Sequence, residues 1–182
     1  GALGEKEKRK SHYLEAAKLG DSINNGKVAY LAYSSFARTT PPDSQMLFHK
    51  KALKYAITAR FPRTAGVYGS MAAIFFNKKM FDSAYIYTHT AIMISKEENM
   101  LTALSSAYAG LSNQFRIQNQ ADSCLFYAIK SLAVAQISGI GDNLKFAYRL
   151  LSAAYELKGE TDQALNYQKL SYTLNDSLKN LR

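Results

Sequence analysis

The sequence has few of the residues that interrupt or cross-link a polypeptide chain. Three prolines and ten glycines occur among 182 residues. That is few for an all-β protein, which needs a turn about every 8–12 residues. The single cysteine, Cys124, excludes an internal disulfide bond. No apolar run approaches the ~20 residues that a membrane-spanning helix requires, so these absences favour a helical chain without covalent cross-links.

Acidic residues are missing from one long segment. No Asp or Glu occurs between Ser44 and Phe81, and the whole chain carries a net charge of +9. The basic residues of this segment that we single out as a candidate patch are Lys50, Lys51, Lys54, Arg60, Arg63, Lys78 and Lys79. A positive field attracts acidic protein segments, nucleic acids and anionic lipids alike. The charge therefore predicts an acidic partner but not its class.

A motif recurs along the chain at intervals of 39, 40 and 40 residues. It is anchored on four aspartates, Asp43, Asp82, Asp122 and Asp162. Five residues after each stands an aromatic residue: Phe48, Tyr87, Tyr127 and Tyr167. Nine residues after each stands a small one: Ala52, Ala91, Ser131 and Ser171. A fixed period of this length is typical of a helical repeat protein.

The segment before each aspartate also repeats. In the last unit it is Tyr148, Leu151, Ser152 and Tyr155, a spacing that places all four side chains on one helical face. The aspartate would then begin a second helix, where a carboxylate can cap free backbone N–H groups. The short links between the segments predict antiparallel helix hairpins.

The pattern predicts one all-α domain over residues 1–182. Its helices are expected at 4–19, 24–38, 43–59, 64–78, 82–95, 98–118, 122–137, 142–158 and 162–181. These form a leading helix, 1–22, and four repeat units, 23–60, 61–97, 98–140 and 141–182. No strand pattern competes.

Residues that could carry catalysis or hold a metal are few. His49 and His89 could be neighbours on stacked helices, but no third ligand is spaced to complete a metal site. Cys124 occupies a position that alanine fills in other units, so we interpret it as a buried small residue. The glycines form no phosphate-binding loop. We therefore predict no enzyme, no metal and no cofactor.

The order aromatic-x-x-apolar-small-x-x-aromatic, followed by a small residue early in the next helix, resembles the tetratricopeptide repeat. The stretch AAYELKGETDQALNYQKLS (153–171) is very similar to the core of that family. The resemblance spans roughly residues 24–181 and implies a right-handed superhelix of helix hairpins. The unit is longer than the family's usual length of about 34 residues, and no proline closes it, so the curvature is expected to differ.

The resemblance also implies that the first helix of each unit lines a concave face. On that face the candidates for contacting a bound protein or peptide are Tyr30, Arg38, Phe76, Asn77, Asn113, Arg116, Phe146 and Arg149. Amide and guanidinium groups of this kind can bond a peptide backbone. Other residues stand where the family binds chaperone tails, so that partner is not expected. The alternative that these residues simply face solvent stays open.

We therefore expect a non-catalytic scaffold that binds a protein or peptide. The Tyr- and Asn-rich composition resembles helical-repeat segments of Bacteroides-type sensors and regulators. That resemblance implies the interaction part of a larger bacterial protein, on the cytoplasmic or periplasmic side and without membrane contact of its own. The chain begins with Gly1 and not Met, so we expect trimming there. The oligomeric state stays open.

The alternative function is binding of nucleic acid or another polyanion through the basic stretch 44–81. Aromatic residues do alternate with the basic ones in that stretch. However, Phe48 and Tyr68 belong to the repeating core positions, which argues against their use as stacking platforms for bases. Nucleic acid is therefore the second choice of partner.

Overall fold

The computed structural model describes residues 2–179, which form nine α-helices and no strand. They are α1 (Ala2–Ser22), α2 (Gly26–Ala37), α3 (Pro42–Thr58), α4 (Ala65–Asn77), α5 (Phe81–Glu97), α6 (Leu101–Ile117), α7 (Ala121–Ser138), α8 (Gly141–Lys158) and α9 (Thr161–Lys179). The helices begin and end within three residues of the predicted positions. The predicted end of the last helix, residue 181, lies outside the described residues.

The helices stack as an all-α solenoid of hairpins. Each helix packs against the next one in the chain, and α4 also contacts α6, as α6 contacts α8. The first helices α4, α6 and α8 therefore form one closely spaced layer, and the second helices α3, α5, α7 and α9, each packed on a first helix, form the other. Among the described residues, no helix combines the length and apolarity needed to cross a membrane.

Most links between helices turn on one residue with positive φ. Asn24, Lys79, Asn99 and Asn119 have φ between 51° and 59°, and Gly159 has φ 78°. After this residue, a backbone N–H bonds back to a carbonyl five residues earlier, as from Met80 to Phe75 at 3.0 Å. This is the hydrogen-bond pattern of a Schellman motif, which satisfies free carbonyl groups and ends the helix sharply. Links of two to six residues are thereby enough to reverse the chain.

The repeating aromatic residues face each other inside every hairpin. The four ring pairs, one in each unit, are Phe36–Phe48, Phe75–Tyr87, Phe115–Tyr127 and Tyr155–Tyr167, with centroids 4.7, 5.1, 5.5 and 5.6 Å apart. Such pairs stabilise a core beyond the apolar area they bury, by about 0.5–1.5 kcal/mol each. The periodic pattern seen in the sequence is thus the core of the solenoid.

Small residues let the paired helices approach closely. Ser105 of α6 and Ser131 of α7 are both buried, and each hydroxyl donates to the other residue's carbonyl oxygen, at 3.1 and 3.0 Å. Ser171 makes the equivalent bond to the carbonyl of Lys145 at 3.3 Å. In the other two units, the same position holds Ala52 and Ala91, both buried. A larger side chain here would force the helices apart.

The expected capping role of the repeated aspartates is wrong for α3, α5 and α7. These helices begin one residue before the aspartate, and no side-chain cap bond forms at Pro41, Met80 or Gln120. The aspartates lie instead in the first turn, where the helix dipole favours a negative charge. Asp122 also pairs with Lys158 at 3.1 Å, and this hydrogen bond raises the pKa of Lys158.

His49 is a buried ionisable group in the first repeat unit. Its side chain is 2% exposed, and Nδ1 has no hydrogen-bond partner within the described residues. Burial, with a smaller effect from Arg38, lowers the pKa of His49 to about 4. The imidazole is therefore neutral in the folded chain at neutral pH.

We predict that His49 makes the fold sensitive to acid. The unfolded chain takes up a proton below a pKa of about 6.5, whereas the folded chain does so only below about 4. Stability is therefore lost as the pH falls through that window, by about 2 kcal/mol between about pH 7 and about pH 4.5. His49→Leu should remove this part of the loss in urea unfolding curves.

The control is His12→Leu, because His12 is an exposed residue. It should keep the acid sensitivity of the wild type. An unchanged pH dependence in His49→Leu would contradict the assignment.

Candidate functional site: a groove between the first helices

A groove of about 470 Å³ lies between α4 and α6. Small residues dominate its lining, including Gly66, Gly69, Ala73, Ser106 and Gly110. Ala84, Thr88 and Ala91 of α5 form its buried floor. The groove is thus a narrow channel with little side-chain bulk, bounded by two neighbouring first helices.

Three glycines leave the groove open where any other residue would partly fill it. A Cβ atom built on Gly66, Gly69 or Gly110 meets nothing within 4 Å. Within a helix, glycine is less favourable than alanine by about 0.5–1 kcal/mol. Packing inside the chain therefore does not require these glycines, and each of them lowers helix stability. Their effect is to expose helix backbone along the groove.

The groove is nearly free of charge along its length. Helix α4 contains no charged residue, and α6 contains only Arg116. Arg116 lies near the end of α6 and donates from Nε and a terminal nitrogen to Oδ1 of Asn113, at 3.2 and 2.9 Å. This leaves the Asn113 amide N–H groups and other guanidinium N–H groups as donors. Phe76 lies at the matching end of α4, 5.9 Å from the ring of Phe81.

The predicted concave-face residues fall in three separate places. Phe76 and Asn113 line the groove, with Asn77 and Arg116 exposed at the same end. Arg38 lines a smaller cavity beside α1, and Arg149 lines one of about 280 Å³ between α8 and α9. Phe146 is 48% exposed on α8. The structure therefore brings four of the eight together.

Tyr30 does not lie on an open face, contrary to expectation. It is 5% exposed, its hydroxyl donates to the Arg63 carbonyl oxygen at 2.9 Å, and its ring packs 5.1 Å from Phe61. The link at 59–64 covers it. Tyr30 is a packing residue that anchors this link, and it cannot contact a partner without local opening.

Sequence reasoning gave too little weight to the residues that shape the groove. Gly66, Gly69 and Ser106 lie on first helices, which the family resemblance places along the concave face. Larger polar and aromatic residues on that face were chosen as candidates instead. The part played by Thr88 was missed because α5 belongs to the second layer. The available signal was glycine inside a helical pattern, where it is less favourable than alanine by about 1 kcal/mol.

The basic residues do not form one patch. Arg60 and Arg63 lie in the link before α4, and Lys78 and Lys79 in the link after it. The 13 residues of α4 separate the two links by roughly 20 Å. Lys78 approaches Asp43 at 3.9 Å. On α3, Nζ of Lys51 lies 5.5 Å from the ring centroid of Tyr33. Lys50 and Lys54 are the other two residues of the predicted patch on this helix.

Among the described residues, the side chains suited to chemistry form no metal site. Within residues 2–179, no three His, Cys, Asp or Glu side chains lie close enough together to hold a metal ion. Cys124 is buried, its Sγ lies 3.6 Å from Oγ of Ser112, and burial raises the pKa of the thiol. The cysteine is thus the neutral packing residue that its position in the repeat predicts.

The fold is an all-α solenoid of tetratricopeptide-like helix hairpins. The crystal structure of BtubC (BKLC) from P. vanneervenii is similar, with a TM-score of 0.83 and 19% identity over 98% of this chain and 76% of that one. The crystal structure of MamA protein has a TM-score of 0.59 and 17% identity over 96% of each chain. No family model and no curated protein matches the sequence. The two likenesses show the fold.

The open space at the glycines gives a stability prediction. Gly69→Ala and Gly110→Ala should each stabilise the fold by about 0.5–1 kcal/mol, because alanine favours the helix and meets no neighbour. Urea unfolding curves measure the change. Gly20→Ala is the contrast, since its Cβ would lie 2.7 Å from the backbone nitrogen of Ala29. Destabilisation by the first two variants would show that the helices need these glycines.

Proposed function

We propose that this chain is a non-catalytic scaffold that binds a segment of another protein in the groove between α4 and α6. The observation that carries the proposal is the groove itself. Gly66, Gly69 and Gly110 keep it open at the expense of helix stability, and no internal packing explains them. A partner backbone that approaches these helices closely would explain their presence.

The chemistry of the groove fits a polypeptide. Its length carries no charge, which suits small or apolar side chains of a helix or an extended strand. One end offers the donors of Asn113 and Arg116, which suit a backbone carbonyl or a carboxylate. The groove therefore has an apolar part that contributes affinity and a polar end that fixes the direction of the bound chain.

Two further proposals concern context and catalysis. The proposal that this scaffold lacks enzyme activity is supported by the burial of its single cysteine, which raises the pKa of the thiol. The proposal that it serves as the interaction part of a larger bacterial regulator is supported by its composition. An output domain or a membrane domain encoded in the same reading frame would support the proposal of a larger regulator.

We predict that filling the groove abolishes peptide binding. Peptides selected from a random displayed library on the wild-type chain should bind it in solution, measured by fluorescence anisotropy. Gly110→Leu should weaken them by roughly tenfold or more, because the side chain occupies the space of the ligand.

The matched control for this variant is Gly4→Leu on α1. Gly4 is also a helical glycine with nothing within 4 Å of its Cβ, and it lies far from the groove in the chain. Gly4→Leu should bind as the wild type does. Equal affinity of Gly110→Leu and the wild type for all selected peptides would move the site off this groove.

We predict that charge reversal at Arg116 weakens peptide binding more than charge reversal at Arg149 does. Arg116→Glu should weaken selected peptides that contain a carboxylate by about tenfold, because Arg116 is the charged group of α6. Arg149→Glu should have a smaller effect, since Arg149 lines a different cavity. Far-ultraviolet circular dichroism should be unchanged in both. An equal loss in Arg149→Glu would extend the site onto α8.

A further inference from the structure

A second cleft lies on the opposite side of α4 from the groove. It occupies about 450 Å³ between the second helices α3 and α5, above α4. Its apolar surface comes from Leu53, Ile57, Tyr68, Met71 and Tyr87. The two basic residues that line it are Lys50 and Lys54, and no carboxylate lines it.

The cleft opens here because of the link that precedes α4. Residues 59–64 form a link of six residues, whereas the equivalent links at 98–100 and 139–140 have three and two. Helix α3 packs less extensively against α4 than α5 does against α6 or α7 against α8. The hydrogen bond from Tyr30 to Arg63 and the ring contact of Tyr30 with Phe61 hold it in place. The opening is therefore built into the packing of the first unit.

The floor and rim of the cleft have complementary chemistry. Met71 is 2% exposed beneath it, and the rings of Tyr68 and Tyr87 lie 6.2 Å apart. Ile57 is 72% exposed, so covering it with an apolar group would be favourable. Lys50 and Lys54 lie one helical turn apart, where like charges repel each other. Neither has an ion pair among the described residues, so both ammonium groups are free for an external anion.

Lys54 is particular to the first repeat unit, whereas Lys50 has one equivalent, Lys169 of α9. The positions that match Lys50 and Lys54 are His89 and Met93 in α5, Ile129 and Ala133 in α7, and Lys169 and Thr173 in α9. The repeat fold therefore forms without a cation at either position. Features that the fold does not require, placed around an apolar cleft, indicate a role in binding.

We propose that this cleft binds an acidic segment of a partner protein. One large apolar side chain would lie against Met71, Tyr68 and Tyr87, and carboxylates on either side of it would pair with Lys50 and Lys54. A polypeptide fits better than a nucleic acid, because Arg60, Arg63, Lys78 and Lys79 lie in links at the two ends of α4 and form no continuous track with the lysines of α3. The site is separate from the groove between α4 and α6.

The test uses a fluorescein-labelled peptide, EELFEE, and fluorescence anisotropy with the full chain. Saturable binding below about 1 mM is expected. The double variant Lys50→Glu with Lys54→Glu should weaken it by roughly tenfold or more. Peptides EESGEE, without the apolar anchor, and KKLFKK, with the charge reversed, should bind at least roughly tenfold more weakly.

The control for charge is Lys18→Glu with Lys169→Glu, which makes the same change in net charge at exposed positions on α1 and α9. It should bind EELFEE as the wild type does. Gly110→Leu should also leave this affinity unchanged, which separates this site from the proposed groove. Circular dichroism of each variant confirms that it is folded.

Four results would overturn the proposal. They are the absence of saturable binding to the wild type, an equal loss in the control pair, equal binding of EESGEE, and tighter lysine-dependent binding of a single-stranded oligonucleotide than of EELFEE. The last result would assign the cleft to nucleic acid.

Discussion

The fold depends on the close contact between the two helices of each hairpin. Aromatic rings from both helices meet at one level, as Phe115 and Tyr127 do at 5.5 Å. Buried small residues such as Ser105 and Ser131 bond across the interface at another level. This combination fixes both the distance and the rotation of the paired helices. Because every unit uses it, the units are nearly equivalent and can stack through their first helices.

The two candidate sites follow from departures from that equivalence. In the groove, Gly69 and Gly110 replace the larger residues that a first helix could carry without any clash inside the chain. At the cleft, the long link at 59–64 goes with looser packing of α3 on α4, and apolar side chains such as Ile57 stay uncovered. Internal packing explains the repeated residues, whereas it explains neither the glycines nor the lysines Lys50 and Lys54. Both proposed binding sites therefore lie where the repeat is broken.

Much of the fold could be predicted because helical periodicity and turn positions are local properties. The spacing of aromatic and small residues placed all nine described helices, with ends within three residues. The errors were of two kinds, one at the starts of helices and one in longer-range geometry. Asp82 and its equivalents entered the helix one position further than a cap residue does. Tyr30 lies on a first helix, where the resemblance predicts exposure on the concave face, but the link that carries Phe61 folds over it. No other unit has a link of that length between its second helix and the next first helix.

The sequence by itself determined the class of fold, the pairing of helices and the absence of an internal disulfide bond, because periodic apolar residues and residue counts suffice for these. Together with the family resemblance, it also placed Phe76, Asn77, Asn113 and Arg116 on the expected concave face. Only the tertiary structure decided which of the eight candidates share a site. It also decided that small residues, not large ones, shape the groove, and that an outer cleft opens beside Lys50. These features depend on the distance between helices that are far apart in sequence, and no local pattern encodes that distance.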